Sequence, residues 1–275
     1  MAGRAAVGDG LRLALTTLTV APVRGPAQPD RAAAARAMTL APLVGLGLGL
    51  LAATVLLIFR LLSGGPGPPL LAGVLAIATL AALTRGLHLD GLGDLADGLG
   101  SYRDPAGARA VMKRPDIGAL GLVTVVLVLG IQVAAVLGCV VHGRGTAGLV
   151  LSVVTGRVAV VAACRNTPAA TAHGLGALVA GTISRGVAGA WALAAAGLGA
   201  AYELVDRDTG SDLLVNALRP VAAVALALLA ARVLRRHAVR RVGGLTGDVL
   251  GALLELATTV SLVVMSLQVP AALPQ

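Results

Sequence analysis

Long apolar runs separated by short polar breaks make up most of the chain. Seven are long enough, or nearly so, to cross about 30 Å of hydrocarbon as helices rising about 1.5 Å per residue. They cover residues 39–62, 69–84, 117–141, 147–164, 175–201, 213–232 and 249–269. The pattern predicts an all-α fold: a polytopic helical bundle of about seven transmembrane helices, forming a single membrane domain over residues 1–275. The second run is the weakest, because Pro68 and Pro69 open it and Arg85 closes it, so a tilted or re-entrant course is expected there. Residues 175–201 read as the fifth span, with Gly176 and Gly181 at its start suggesting, together with His173 and Gly174, a flexible cytoplasmic turn. Ahead of the first run, residues 1–37 are rich in Arg and Ala, with an apolar stretch from Leu11 to Val23 broken by threonines. This segment is read as an uncleaved interfacial or re-entrant piece rather than a signal peptide.

One polar break stands apart from the others. The chain holds 13 Asp and Glu, yet Asp90, Asp94, Asp97, Asp104 and Asp116 all fall within residues 85–116. If the start of this window is helical, Asp90, Asp94 and Asp97 sit at i, i+4 and i+7 on one face. Like charges so placed repel, and a hard divalent cation, Mg2+ or Mn2+, is the simplest partner that offsets the repulsion. A solvated loop between spans is the competing reading. Asp90-Gly91 and Asp97-Gly98 repeat one pair seven residues apart, which predicts a bare backbone stripe open to a bulky ligand. Leu87, Leu89, Leu92, Leu95 and Leu99 are expected on the membrane side of this segment. His88 lies off the carboxylate stripe and reads either as an interfacial polar residue or as a general base. Asp104 followed by Pro105 marks a helix start.

Composition then limits what such a window can serve. A hydrophobic content of 57% is far from that of a soluble domain. The formal charge of +9 does not imply nucleic acid, because the basic residues gather where topology needs them. They cluster before the first span, in the acidic window and between the sixth and seventh spans, at Arg232, Arg235, Arg236, Arg240 and Arg241. With seven spans these groups share one side. The positive-inside rule places the N-terminus and the window in the cytoplasm of a bacterial cell, as a multi-pass inner or plasma membrane protein. The opposite loops are poor in basic residues and include Arg144 and an acidic stretch with Glu203, Asp206, Asp208 and Asp212. Cys139 and Cys164 lie in apolar runs and imply neither disulfide nor zinc.

Other charges bear on function. Arg157 lies inside the fourth span, so it must face the protein interior, where a buried carboxylate or a phosphate would be its partner. Arg165-Asn166 and Arg185 are weaker candidates of the same kind, and His173 with its neighbouring glycines reads as a plain turn. Residues 243–255 form a second acidic motif, with Asp248 and Glu255 seven residues apart on one face of the last span. Thr246 or Asp248 caps that helix. Two acidic clusters with an intramembrane Arg between them are the inventory of metal-assisted phosphoryl transfer.

At these residues the chain resembles the cobalamin synthases, the adenosylcobinamide-GDP ribazoletransferases. The carriers are H-L-D-G-L-x-D-x-A-D-G-L from His88 to Leu99, then Arg103-Asp104, Met112-Lys113 and Ile117-Gly118 with Gly121, and G-G-x-T-G-D-x-x-G-x-x-x-E from Gly243 to Glu255. The resemblance implies an Mg2+-dependent membrane transferase that joins adenosylcobinamide-GDP to alpha-ribazole or alpha-ribazole 5'-phosphate and releases GMP. It would act in the lipid bilayer without nucleic acid, and self-association as a homo-oligomer is left open. Carried onto this chain, Asp90, Asp94 and Asp97 hold the metal, and His88 or one of these aspartates is the base. Arg103, Lys113, Arg114 and Arg157 contact phosphate or nucleotide, and Asp248 with Glu255 orients the attacking hydroxyl or holds a second metal. A CDP-alcohol phosphotransferase is a rival, but its D-G-x2-A-R-x8-G-x3-D-x3-D pattern is missing. A cation-coupled transporter should carry mid-membrane carboxylates on broken helices with internal repeats, and no convincing repeat is seen.

Overall fold

The computed structural model describes residues 2–63, 68–205 and 213–268. It is all helical, as expected: α1 Ala2–Leu18, α2 Arg31–Leu62, α3 Pro69–Leu83, α4 Leu87–Gly100, α5 Pro105–Met112, α6 Ala119–Val141, α7 Gly145–Ala163, α8 Leu175–Val179, α9 Arg185–Val205, α10 Leu213–Val242 and α11 Gly247–Ser266. Residues 64–67 and 206–212, with Asp206, Asp208 and Asp212 of the acidic stretch, lie outside the described residues.

Helices α2, α6, α7, α9, α10 and α11 are long and apolar enough to cross a membrane, and α3 with α4 forms a seventh, bent unit. The weak second run therefore has a physical account. Arg85 (φ 54°) and Gly86 (φ 66°) both take left-handed backbone, and the chain turns by 89° between α3 and α4. After this corner α4 packs against the first turns of α6 and α11.

The fifth run is corrected. Rather than one helix over 175–201, the chain forms the short α8, turns at Gly181 (φ 72°), and begins α9 only at Arg185. Arg185 is thus an exposed first-turn residue rather than a buried cation.

Caps follow the local chemistry. Asp30 accepts from Ala33 N at 2.6 Å to start α2, and Asp104 accepts from Gly107 N at 3.0 Å with Pro105 at the first position of α5. Thr246 accepts from Val249 N at 3.1 Å and opens α11. The core sits around α11, which packs against α4, α6, α7 and α10, while α2 closes on α1, α3 and α7. On the outer side of α2, Trp191 of α9 donates its indole N–H to Thr39 O at 2.9 Å.

Candidate active site

Two motifs more than 150 residues apart meet where α4 crosses α11. The crossing depends on glycine. A Cβ placed on Gly91 would stand 2.8 Å from Asp248 Cα, and one on Gly251 would stand 3.1 Å from His88 O. A Cβ on Gly98 would meet the Met112 side chain of α5 at 2.6 Å. The glycine stripe expected to receive a ligand is therefore filled by neighbouring helices. Its effect is to set the carboxylates of α4 beside Asp248. Leu92 and Leu95, expected on the membrane surface, are buried in this contact, while Leu87 is exposed.

The carboxylates of α4 divide their work. Asp97 accepts from Gly118 N at 2.7 Å and Gly121 N at 2.8 Å, so it caps α6, whose own N-cap Gly118 has no side chain to offer. Asp90 is exposed and Asp94 half-buried on the same ridge. Burial, then the charges of Asp90, Asp248 and Asp97, push the Asp94 carboxyl up to about 6. Asp248 accepts from Thr246 Oγ1 at 3.3 Å. Among the described residues no three His, Cys, Asp or Glu side chains converge closely enough to form a finished metal cage. The donor set nevertheless suits a hard cation: crowded, mutually repelling oxygen donors in a number typical of ions that keep waters and bind substrate phosphates.

Open cavities flank the ridge. One, of about 410 Å3, is bordered by Asp94, Asp97, Arg103, Arg114 and Asp116. The other, of about 480 Å3, is bordered by Asp248, Lys113, Arg109, Thr171 and His173. Arg103, Lys113 and Arg114 thus lie beside the acidic residues, on two different sides. Arg114 also pairs with Asp116 at 2.9 Å on the exposed rim. The loop bearing Thr171 and His173 is held to the second motif, since Leu245 N donates to Pro168 O at 2.8 Å and Ala170 N to Leu245 O at 3.1 Å. Arg109 reaches the same loop end, donating to Val242 O at 2.5 Å. Thr171 and His173 have no local sequence signal, because a long-range backbone clasp brings them there, and Arg109 is placed by α5 and its bond to Val242 O.

Beneath the ridge lies a small chamber of about 30 Å3 lined by His88, Gln132, Arg157, Glu255 and Thr258. Gln132 Nε2 donates to Glu255 Oε2 at 2.8 Å and to Thr259 Oγ1 at 3.0 Å. Arg157 donates to Val153 O at 3.2 Å, and Gly45 of α2 makes room for its stem. Arg157 and Glu255 line neither flanking cavity; they share the small chamber, and Glu255 is separated from Asp248 rather than paired with it. Among the described residues, His88 Nε2, Arg157 Nε and Thr258 Oγ1 have no hydrogen-bond partner there. A chamber this polar and of this size holds about one or two waters.

This arrangement defines a class: an integral membrane protein of packed helices that presents carboxylates between basic cavities at one end, as an enzyme acting on phosphate esters would. The chain belongs to the cobalamin-5-phosphate synthase family, whose model matches residues 10–266. Curated relatives named adenosylcobinamide-GDP ribazoletransferase include one from Frankia casuarinae, 43% identical over 94% of this chain and 95% of its own length. Others come from a Nocardioides species, 40% identical over 92% of this chain and 96% of its own, and from Stutzerimonas stutzeri, 38% identical over 94% and 98%. No solved structure matches the chain.

Proposed function

We propose that this protein joins adenosylcobinamide-GDP to alpha-ribazole, or to alpha-ribazole 5'-phosphate, releasing GMP in the last steps of cobalamin synthesis. The reading is supported by the names of relatives that match nearly the whole chain. The observation that carries it is the Gly91 crossing, which sets Asp90 and Asp94 against Asp248 between two basic-rimmed cavities. A diphosphate lying over the ridge would have its nucleotide end in one cavity and its acceptor in the other.

In this reaction the hydroxyl oxygen of the acceptor bonds to the phosphorus nearest the cobinamide, and the bond to the bridging diphosphate oxygen breaks, so GMP leaves. Lys113 and Arg109 on one side and Arg103 and Arg114 on the other orient phosphate oxygens. Asp90, Asp94 and Asp248 would hold Mg2+, which when bound neutralises diphosphate charge. Asp97 is a positioning residue, because its oxygens are engaged by α6. The hydroxyl proton goes to a carboxylate of the ridge. His88 is set aside for that role, being 5% exposed and lining the small chamber beneath the ridge. Arg157 and Glu255 support the floor of the site rather than touching substrate. The ridge faces the cytoplasm, in keeping with the basic groups on its side of the bundle.

The test is GMP release by purified protein in lipid, given adenosylcobinamide-GDP and alpha-ribazole with Mg2+ and then with EDTA. Release of GMP together with a cobalamin product only in Mg2+ is expected. Folded protein that forms no product under either condition would sink the assignment.

A further inference from the structure

The basic run at the end of α10 has no part in the reaction above, yet it borders a cavity of its own. About 210 Å3 opens between the end of α7, α10 and α11, with Ala162, Ala231 and Leu253 below and Arg165, Arg232 and Arg235 at its mouth. On α11, Leu253 lies about 140° round the helix from Asp248 and about 160° from Glu255, so this cavity is on the far side of α11 from the acidic ridge.

The guanidinium groups converge without an acid. Among the described residues none of the ion pairs involves Arg165, Arg232 or Arg235. Arg235 is fixed, donating to Arg165 O at 3.2 Å and Thr167 Oγ1 at 2.7 Å. Asn166 beside it holds left-handed backbone at φ 47°, a conformation that surrounding structure must enforce. Three cations brought together around a space are unfavourable until an anion enters it.

Depth identifies the anion. α10 runs apolar from Val221 to Ala231 and then carries Arg232, Arg235, Arg236, Arg240 and Arg241, the pattern of a helix passing from hydrocarbon into the headgroup layer. The cavity therefore sits at that boundary, its alanine floor on the apolar side and its guanidinium groups on the headgroup side. Leu229 and Val233, 56% and 59% exposed, continue along α10 beside the opening. Basic pockets between helices at this level suit anionic lipid phosphates.

We propose that this cavity binds the phosphate of an anionic phospholipid from the adjoining leaflet, Arg165 and Arg232 holding the phosphate and the Ala162 and Ala231 floor receiving the glycerol. The site does not depend on the transfer reaction.

Native mass spectrometry of the full chain in detergent tests it, with phosphatidylglycerol, phosphatidylcholine and inorganic phosphate as separate probes. The wild type should retain phosphatidylglycerol over phosphatidylcholine, and Arg165→Gln with Arg232→Gln should weaken that retention roughly thirtyfold, as expected for two lost cations near a charged headgroup. Arg165→Lys with Arg232→Lys should keep most of the preference. Ala162→Leu fills the floor with every charge in place and should also abolish the preference, which keeps the test valid if the glutamine variant does not fold. Equal phosphatidylglycerol retention in wild type and Ala162→Leu, or its full displacement by millimolar inorganic phosphate, would overturn the proposal; the second outcome would mark the cavity as a site for soluble phosphate.

Discussion

Gly91 and Asp248 touch backbone to backbone: a single added methyl on Gly91 would stand 2.8 Å from Asp248 Cα and 3.0 Å from Asp248 O. Neither position can yield by rotating a side chain, so α4 must move. Gly91→Ala should cost about 1–3 kcal/mol as an overpacked contact, and Gly91→Val more. GMP release should fall at least about tenfold in Gly91→Val, since an ångström of misplacement is costly to an oriented reaction. Activity and thermal unfolding measured on the same preparation check this; unchanged turnover in a folded Gly91→Val protein would show that the crossing does not align the site.

Asp97 supplies the cap that Gly118 lacks. Asp97→Ala should leave the first amides of α6 unsatisfied and lower stability by about 1–2 kcal/mol. Asp90→Ala, at an exposed ridge position, should leave stability within about 0.5 kcal/mol. Melting temperatures in one detergent compare the two, and equal losses would argue against the capping role.

Asp94 gives the site a pH dependence whose sign is fixed by its cause. Burial and its like-charged neighbours raise its carboxyl to about 6, so the native protein favours the protonated form. For stability, the protonated carboxyl is most favourable at low pH, and the advantage fades as pH rises through about 6. Divalent cations bind the ionised form, so their affinity should climb as pH rises through about 6 and level off above it. Mn2+ titrations followed by electron paramagnetic resonance from pH 5 to 8 measure this. Asp94→Asn should bind more weakly and flatten the profile.

Gln132 is the donor that makes a carboxylate tolerable at Glu255. Gln132→Leu should destabilise the protein by about 1–3 kcal/mol, the usual cost of a buried polar group left unsatisfied. Glu255→Gln should be milder, because a neutral amide needs less compensation. With Glu255→Leu measured alone to complete the cycle, a combined Gln132→Leu, Glu255→Leu protein whose loss equals the sum of the two single losses would show that the pair is not coupled.

Local chemistry made much of this architecture legible. Apolar runs marked the spans, Asp104-Pro105 and Thr246 announced helix starts, and i, i+4, i+7 spacing placed Asp90, Asp94 and Asp97 on one helix. What escaped was decided between distant segments. Gly91 and Gly98 read as an open stripe because a sequence does not say which helix will cover it. Residues 175–201 read as one span because Ala, Leu and Gly keep the hydropathy high through the turn at Gly181. Glu255 read as a partner of Asp248 from helical phase alone, yet its deeper level in α11 gives it to Gln132 instead. His173 read as a plain turn because the backbone clasp to Leu245 has no side-chain signature.

The chain contains one tryptophan, and its indole is tied to Thr39 O. That bond makes the protein its own spectroscopic probe without labelling. Emission from Trp191 follows the seam between α2 and α9, a seam that none of the substitutions above touches. Loss of a far-ultraviolet helical signal before the indole shifts would show that helix away from Trp191 melts first, whereas simultaneous loss would show that the bundle and this contact unfold as one unit.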